Sequence, residues 1–355
     1  MIKRLCIFTS GFAHNRQGIL DYLEKIIPNE VELFLFVSKE AKSKYHSKRI
    51  KIVESGLNKY LCFFELRKFC KKNKIDRLIN MGSLPQEGFS IALASLFSKT
   101  DFVTYLVINP FEFLNYKLSK WSVKSFFQTI LLFPFLLFPK KIFVCSKDIT
   151  KICQKYAFFS RKKIYQLPGT VDTSLFSPKN KKITRKKLNL PFDKKIILTV
   201  GRIEDAKGAD ITFKLAKINP EILFILIGEP DSKYKSLKMK NVFFLGRKSP
   251  KELVDYYNSA DLYLSPSRAE GFGLTPREAM ACGTPALVSD ILALRMIEPA
   301  IKSKLNVESF EKEIDNFFAL SLNKKKELST KSREYVIKES GYESCKNLYS
   351  KLLLD

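Results

Sequence analysis

Lys195-Ile196-Ile197-Leu198-Thr199-Val200-Gly201-Arg202-Ile203-Glu204-Asp205-Ala206-Lys207-Gly208 reads as one structural unit. Ile196 to Val200 form a short apolar run with no polar alternation, the pattern of a strand buried on both faces. Gly201 breaks the run, and the spacing from about Ala209 predicts a helix. A buried strand that turns into a helix belongs to a parallel sheet covered by helices, whose ligands bind at the carboxyl ends of the strands.

The pattern recurs outward from this point. Ile222 to Ile227, Val242 to Leu245, Leu262 to Leu264 and Pro285 to Val288 read as further buried strands in the second half. Leu5 to Phe8, Val31 to Val37, Arg77 to Ile79, Phe102 to Ile108 and Ile142 to Cys145 do the same in the first. A chain of 355 residues exceeds what one core usually supports. The expected fold is therefore α/β, two Rossmann-like domains facing across a cleft. Ser177-Pro178-Lys179-Asn180-Lys181-Lys182 is polar, basic and proline-containing, which suits a linker. The expected domains are 1–177 and 178–340, followed by a C-terminal helix at 341–355 that packs back on the first.

Glu270-Gly271-Phe272-Gly273-Leu274-Thr275-Pro276-Arg277-Glu278 predicts a loop feeding a short helix. Thr275 is a good N-cap, Pro276 suits the first helical position, and Glu278 three residues after Thr275 would complete a capping box. Gly283 and Pro285 end the helix. The glycines let the backbone approach a ligand, and a helix amino terminus offers unpaired N–H groups to an anion. Arg202 and Lys207, flanking the strand-to-helix turn, supply a planar fork and a mobile point charge. Together they can neutralise a diphosphate and stabilise it as a leaving group.

At these residues the sequence resembles the retaining glycosyltransferases of family 4, a group with the GT-B fold. Glu270 and Glu278 match the family's E-x7-E motif, Gly201 to Gly208 its G-R-x4-K-G segment, and Val171 to Pro178 its V-D-x-x-x-F-x-P segment. The match is close from about Lys141 to Asp290. The resemblance implies that Arg202 and Lys207 hold the donor diphosphate and that Glu278 hydrogen-bonds the ribose. It also implies that Glu270, with the amides of Gly271, Phe272, Gly273 and Leu274, contacts the donor sugar, and that the base lies near Leu245-Gly246-Arg247. The resemblance places Gly201 and Thr275 in the same donor site. It implies no cofactor and no metal, and the chain has no D-x-D motif. Three departures stand out. Gln17-Gly18 occupies the place of a glycine pair, and Asn109-Pro110 that of a first-domain histidine. The segment after Asp290 lacks the glycine-rich continuation and later acidic loop of the family. His14, expected in the loop after the first strand, joins Gly18 and Asn109 as a candidate for the acceptor side of the cleft.

The net charge is +26. Residues 1–180 hold 30 basic and 13 acidic residues, a net of +17, and the remainder a net of +9. Such a field attracts anionic lipid or phosphorylated substrate, although base composition of the genome yields similar lysine excess. No nucleic-acid-binding module or aromatic-basic repeat accompanies it, so nucleic acid is not an expected partner. The seven cysteines are scattered and never form C-x-x-C, which predicts buried thiols rather than disulfides or zinc ligands. Phe126 to Phe138 is apolar except at Gln128 and Thr129 and is flanked by Lys124 and Lys140. It is shorter than the roughly 20 residues that span a bilayer, and reads either as a buried helix or as a surface dipping into the membrane interface. No secretory signal is recognisable at Met1-Ile2-Lys3-Arg4, so the expected location is cytoplasmic, peripheral on the inner face of the plasma membrane. The expected function is transfer of a sugar, with retention, from a UDP- or GDP-sugar to a glycan or lipid-linked acceptor in surface polysaccharide or lipopolysaccharide synthesis. The alternative is a catalytically silent GT-B protein that binds nucleotide or a partner, motivated by Asn109; an epimerase on the same fold is a further one.

Overall fold

The structure is a computed structural model of the chain and describes residues 2–9, 14–39, 46–58, 60–80, 85–106, 138–156 and 158–355. Asn109 and Phe126 to Leu137 of the apolar segment lie outside them. The chain forms two compact units, Met1–Pro168 with Cys345–Asp355, and Gly169–Ser344.

Among the described residues, the first unit is built on β1 (Arg4–Thr9), β2 (Glu32–Val37), β3 (Lys51–Glu54), β4 (Arg77–Asn80), β5 (Asp101–Leu106), β6 (Lys141–Val144) and β7 (Ile164–Gln166), in the order β3-β2-β1-β4-β5-β6-β7. Every pairing is parallel. The central strands β1, β2 and β4 are buried except at the opening Arg4 and Glu32, as the apolar runs within them require. The C-terminal helix Tyr342–Leu354 contributes its residues from Cys345 to this unit. The ring of Tyr349 meets Tyr22 edge-on at 4.9 Å, and its hydroxyl donates to the Pro168 carbonyl at 2.6 Å. Arg77, 2% exposed, donates from its guanidinium to the carbonyls of Leu353 at 2.6 Å and Asp355 at 3.2 Å. Lys141 does the same for Leu352 at 3.1 Å. Two cations thus satisfy the carbonyls that any helix leaves open at its end.

The second unit holds β8 (Ile196–Val200), β9 (Leu223–Ile227), β10 (Val242–Phe244), β11 (Leu262–Ser265), β12 (Ala286–Ser289) and β13 (Ile301–Ser303), ordered β10-β9-β8-β11-β12-β13 and again all parallel. Its core fills both faces: Ile196, Leu198 and Ile225 pack with Val171, Phe176 and Met280, while Ile197, Phe224 and Leu226 pack with Ile211, Leu215 and Phe310.

The domain boundary falls earlier than the linker composition suggested. Val171 bridges Gly341, and both Val171 and Phe176 are buried, so the V-D-x-x-x-F-x-P segment belongs to the second unit and sends these two side chains into its core. Asn180 caps the helix Lys181–Lys187, and Lys179 pairs with Asp255 at 2.7 Å. The polarity of Ser177–Lys182 therefore marks a capped helix start. The edge strands β3, β7 and β13 carried no apolar signal, because edge strands are short and half exposed. All seven cysteines are buried thiols. Among the described residues no helix is long and apolar enough to cross a membrane.

Candidate functional site

The chain runs outward from β8 through β9 to β10 on one side and from β11 through β12 to β13 on the other. The direction in which the chain adds strands reverses between the adjacent strands β8 and β11, and the carboxyl ends of such a strand pair are where ligands of such sheets bind. The loops that leave β8 and β11 carry Gly201–Gly208 and Ser267–Gly273. They are in tight contact: Gly208, at φ +71°, lies so close to the Pro266 carbonyl that any Cβ would overlap it. Lys207 and Glu270 meet across this junction, Nζ to Oε1 at 2.6 Å, and Ser267 donates its hydroxyl to the same oxygen at 3.0 Å. The side chains are 27% and 14% exposed, so the pair is shielded yet reachable. Lys207 and Glu270, 63 positions apart, thus form one group.

The helix after the loop is Leu274–Ala281, and its N-cap is Gly273 at φ +71°, with no side-chain cap. The expected capping box is therefore absent. Thr275 lies inside the first turn, where its hydroxyl accepts from Tyr263 at 2.8 Å, and Pro276 occupies a first-turn position that has no N–H to satisfy. A reciprocal box does form at Ser249 and Glu252, opening the helix Pro250–Ser259 that carries Tyr257. Gly273 is required twice over: its φ is left-handed, and an added Cβ would come 2.5 Å from Leu294 Cδ2. Buried Arg277 braces the bend, stacking its guanidinium 3.8 Å from the centre of the Phe272 ring and donating to the carbonyls of Phe272 and Gly273. Phe272 is itself buried against Gly169, so its side chain is scaffold and only its backbone remains for a ligand. Gly271 and Leu274 are partly exposed beside it.

Glu278 does not cap. It accepts from the Tyr257 hydroxyl at 2.8 Å, and burial pushes its carboxyl up to about 7, partly offset by that hydrogen bond. A carboxyl held near neutrality by burial with one donor has spare acceptor capacity for hydroxyl groups.

Arg202 does not join the Lys207 pair. Its side chain is 72% exposed and bonds Glu204 at 2.7 Å. Arg247, after β10, pairs with Glu229 at 3.4 Å. The loops after β8, β9 and β10 are laced together by Gly201 N to Ile227 O and Gly228 N to Gly246 O, both 2.9 Å. In the first unit Gly18 lies within the helix His14–Ile26, with open space around it, and His14 begins that helix rather than sitting in a loop.

Tyr257, Tyr263, Ser267 and Arg277 were not legible as site residues. Each acts through a partner on another element, or as buried support, and only the Arg277 position next to the glycine loop offered any signal.

Residues 180–335 match the model of the family described as Glycosyl transferases group 1. A D-inositol 3-phosphate glycosyltransferase of Mycolicibacterium smegmatis is 35% identical over 136 residues, 35% of this chain and 31% of that protein. The match thus spans about a third of that relative's length. HepE of Anabaena, solved in complex with UDP and glucose, is similar with a TM-score of 0.80 at 13% identity, over 100% of both chains. WaaG, a glycosyltransferase involved in lipopolysaccharide biosynthesis, is similar with a TM-score of 0.78 at 14% identity, over 98% of this chain and 99% of that one. At such identities the likeness to the solved structures is one of fold. The chain has the GT-B fold in its two parallel-sheet units, and the second of them holds the segment that matches the model of the glycosyl transferases group 1 family.

Proposed function

We propose that this chain is a retaining glycosyltransferase that moves a sugar from a UDP- or GDP-sugar to a glycan or lipid-linked acceptor in the synthesis of surface polysaccharide or lipopolysaccharide. The observation that carries the proposal is the Lys207–Glu270–Ser267 group at the switch point of the second sheet, beside a glycine loop that only glycine can form. The family match over 180–335 and the glycosyltransferase relatives support it.

Cleavage of a sugar–phosphate bond leaves negative charge on the diphosphate and positive charge on the sugar. A diphosphate outweighs one carboxylate as a partner for Lys207. It draws that lysine over, with Arg202 as the second cation, and frees Glu270 to orient sugar hydroxyls and offset charge on the sugar. Glu278 accepts from the ribose, and Arg247 with Gly246 flanks the base. The departing phosphate takes the acceptor proton. The two cations supply the charge that a metal would otherwise supply, and the activity needs no cofactor. The basic excess of the first 180 residues favours work in the cytoplasm at an anionic membrane face.

The test is thermal stabilisation by UDP, GDP, ADP and their sugar conjugates, run beside Glu278→Ala and Arg202→Ala. A ligand of the folded state raises the melting temperature by mass action. Stabilisation by one nucleotide, lost in both variants, is expected; no response at millimolar ligand overturns the proposal in favour of a silent scaffold.

A further inference from the structure

The helices Phe63–Asn73 and Pro85–Ser98 pack against each other in the first unit. The first turns Leu66 and Cys70 inward, one turn apart, and so presents Phe64, Lys68 and Lys71 to solvent on another face. Phe64 is 51% exposed, and Leu61, just before the helix, 47%. At the end of the second helix Leu96 is 60% and Phe97 51% exposed. The two sets are continuous, because the Arg67 guanidinium, one turn after Phe64, sits 5.7 Å from the centre of the Phe97 ring. The acid on this helix is turned away: Glu65 accepts from the Ser55 hydroxyl at 2.5 Å and the Gly56 amide at 3.1 Å.

A folded chain seldom leaves two phenylalanines and two leucines half bare in one place without an occupant. Here they are interleaved with exposed lysines, in the half of the chain with a net charge of +17. Aromatic and leucine side chains among lysines, with no carboxylate facing outward on the helix Phe63–Asn73, suit an anionic lipid surface: rings enter the acyl boundary and ammonium groups meet phosphates. An acidic protein would satisfy the lysines and leave the rings wet. We propose that Leu61, Phe64, Leu96 and Phe97, with Lys68 and Lys71, form the surface by which this chain docks on anionic membrane. The inference rests on the membrane-facing part of the proposed function and names the surface responsible.

The experiment is co-sedimentation of the full chain with vesicles of phosphatidylcholine and phosphatidylglycerol in a two-to-one ratio, beside pure phosphatidylcholine. The parent is expected to bind the mixed vesicles only. Phe64→Ser with Phe97→Ser should weaken that binding at least about tenfold. Lys68→Glu with Lys71→Glu should weaken it by a similar factor and flatten its salt dependence. Both variants should keep the parent's melting temperature and nucleotide response. Equal binding to neutral vesicles, undiminished binding by both variants, or loss of self-association instead of vesicle binding would overturn the proposal. A parent that binds vesicles but no nucleotide would refute the donor site and leave the docking surface standing.

Discussion

Replacing Glu278 by Gln should stabilise the second unit, and by an amount that depends on pH. The Glu278 carboxyl has a folded value of about 7 against an ordinary 4.5, raised by burial. The folded chain therefore keeps a proton that the unfolded chain has lost. The stability this proton confers is fully present below pH 4.5 and is lost as pH rises through about 7. At about 1.4 kcal/mol per pH unit, the buried charge costs on the order of 3 kcal/mol at pH 8 and less than about 1 kcal/mol at pH 5. Glutamine has the same shape, accepts from Tyr257, and carries no charge at any pH. For a unit of this size each kcal/mol moves Tm by roughly 2–4 °C. Differential scanning calorimetry of parent and Glu278→Gln should show a gain of roughly 6–12 °C at pH 8 and under about 4 °C at pH 5. An equal shift at both pH values would mean that the carboxyl titrates normally and that no proton is held in the site.

Nucleotide affinity of the parent should rise by up to about tenfold from pH 6 to pH 8 as Glu278 ionises to accept from the ribose, and stay flat in Glu278→Gln; titration calorimetry with a pH-independent Kd for the parent would contradict this. Lys207→Met should lower kcat/KM about 10²–10³-fold while Glu270 keeps its bond to Ser267, and near-parental turnover would remove Lys207 from the chemistry. Gly273→Ala should cost at least about 1–3 kcal/mol from its positive φ alone, with further loss against Leu294; an unchanged urea midpoint would show that the loop bends differently. Arg77→Met should destabilise the first unit by about 2–3 kcal/mol, because the carbonyls of Leu353 and Asp355 lose their donor, and the C-terminal amides should exchange faster with solvent.

Much of the architecture was legible because a strand buried on both faces must be apolar at consecutive positions. Ile196 to Val200 and Ile222 to Ile227 show this plainly, and their structured bounds agree to within a residue. Ile164–Gln166 and Ile301–Ser303 escaped because an edge strand pairs on one side and needs no such run. The Thr275 and Glu278 pair satisfied every local rule for a capping box. It failed because Tyr263 and Tyr257, from elements earlier in the chain, claimed both side chains.

The sequence by itself determined what neighbouring residues settle among themselves: the alternation of strand and helix, the glycines that permit left-handed turns, and the residue types gathered in the two loops. Backbone geometry and burial periodicity are local, and consecutive side chains encode them. Only the tertiary structure decided that Lys207 and Glu270 neutralise each other across 63 positions, that Val171 and Phe176 belong to the core of the second unit, and that Glu278 holds its proton near neutrality. Ion pairing and desolvation depend on what distant elements bring to the same few ångströms, and no window of sequence contains that information.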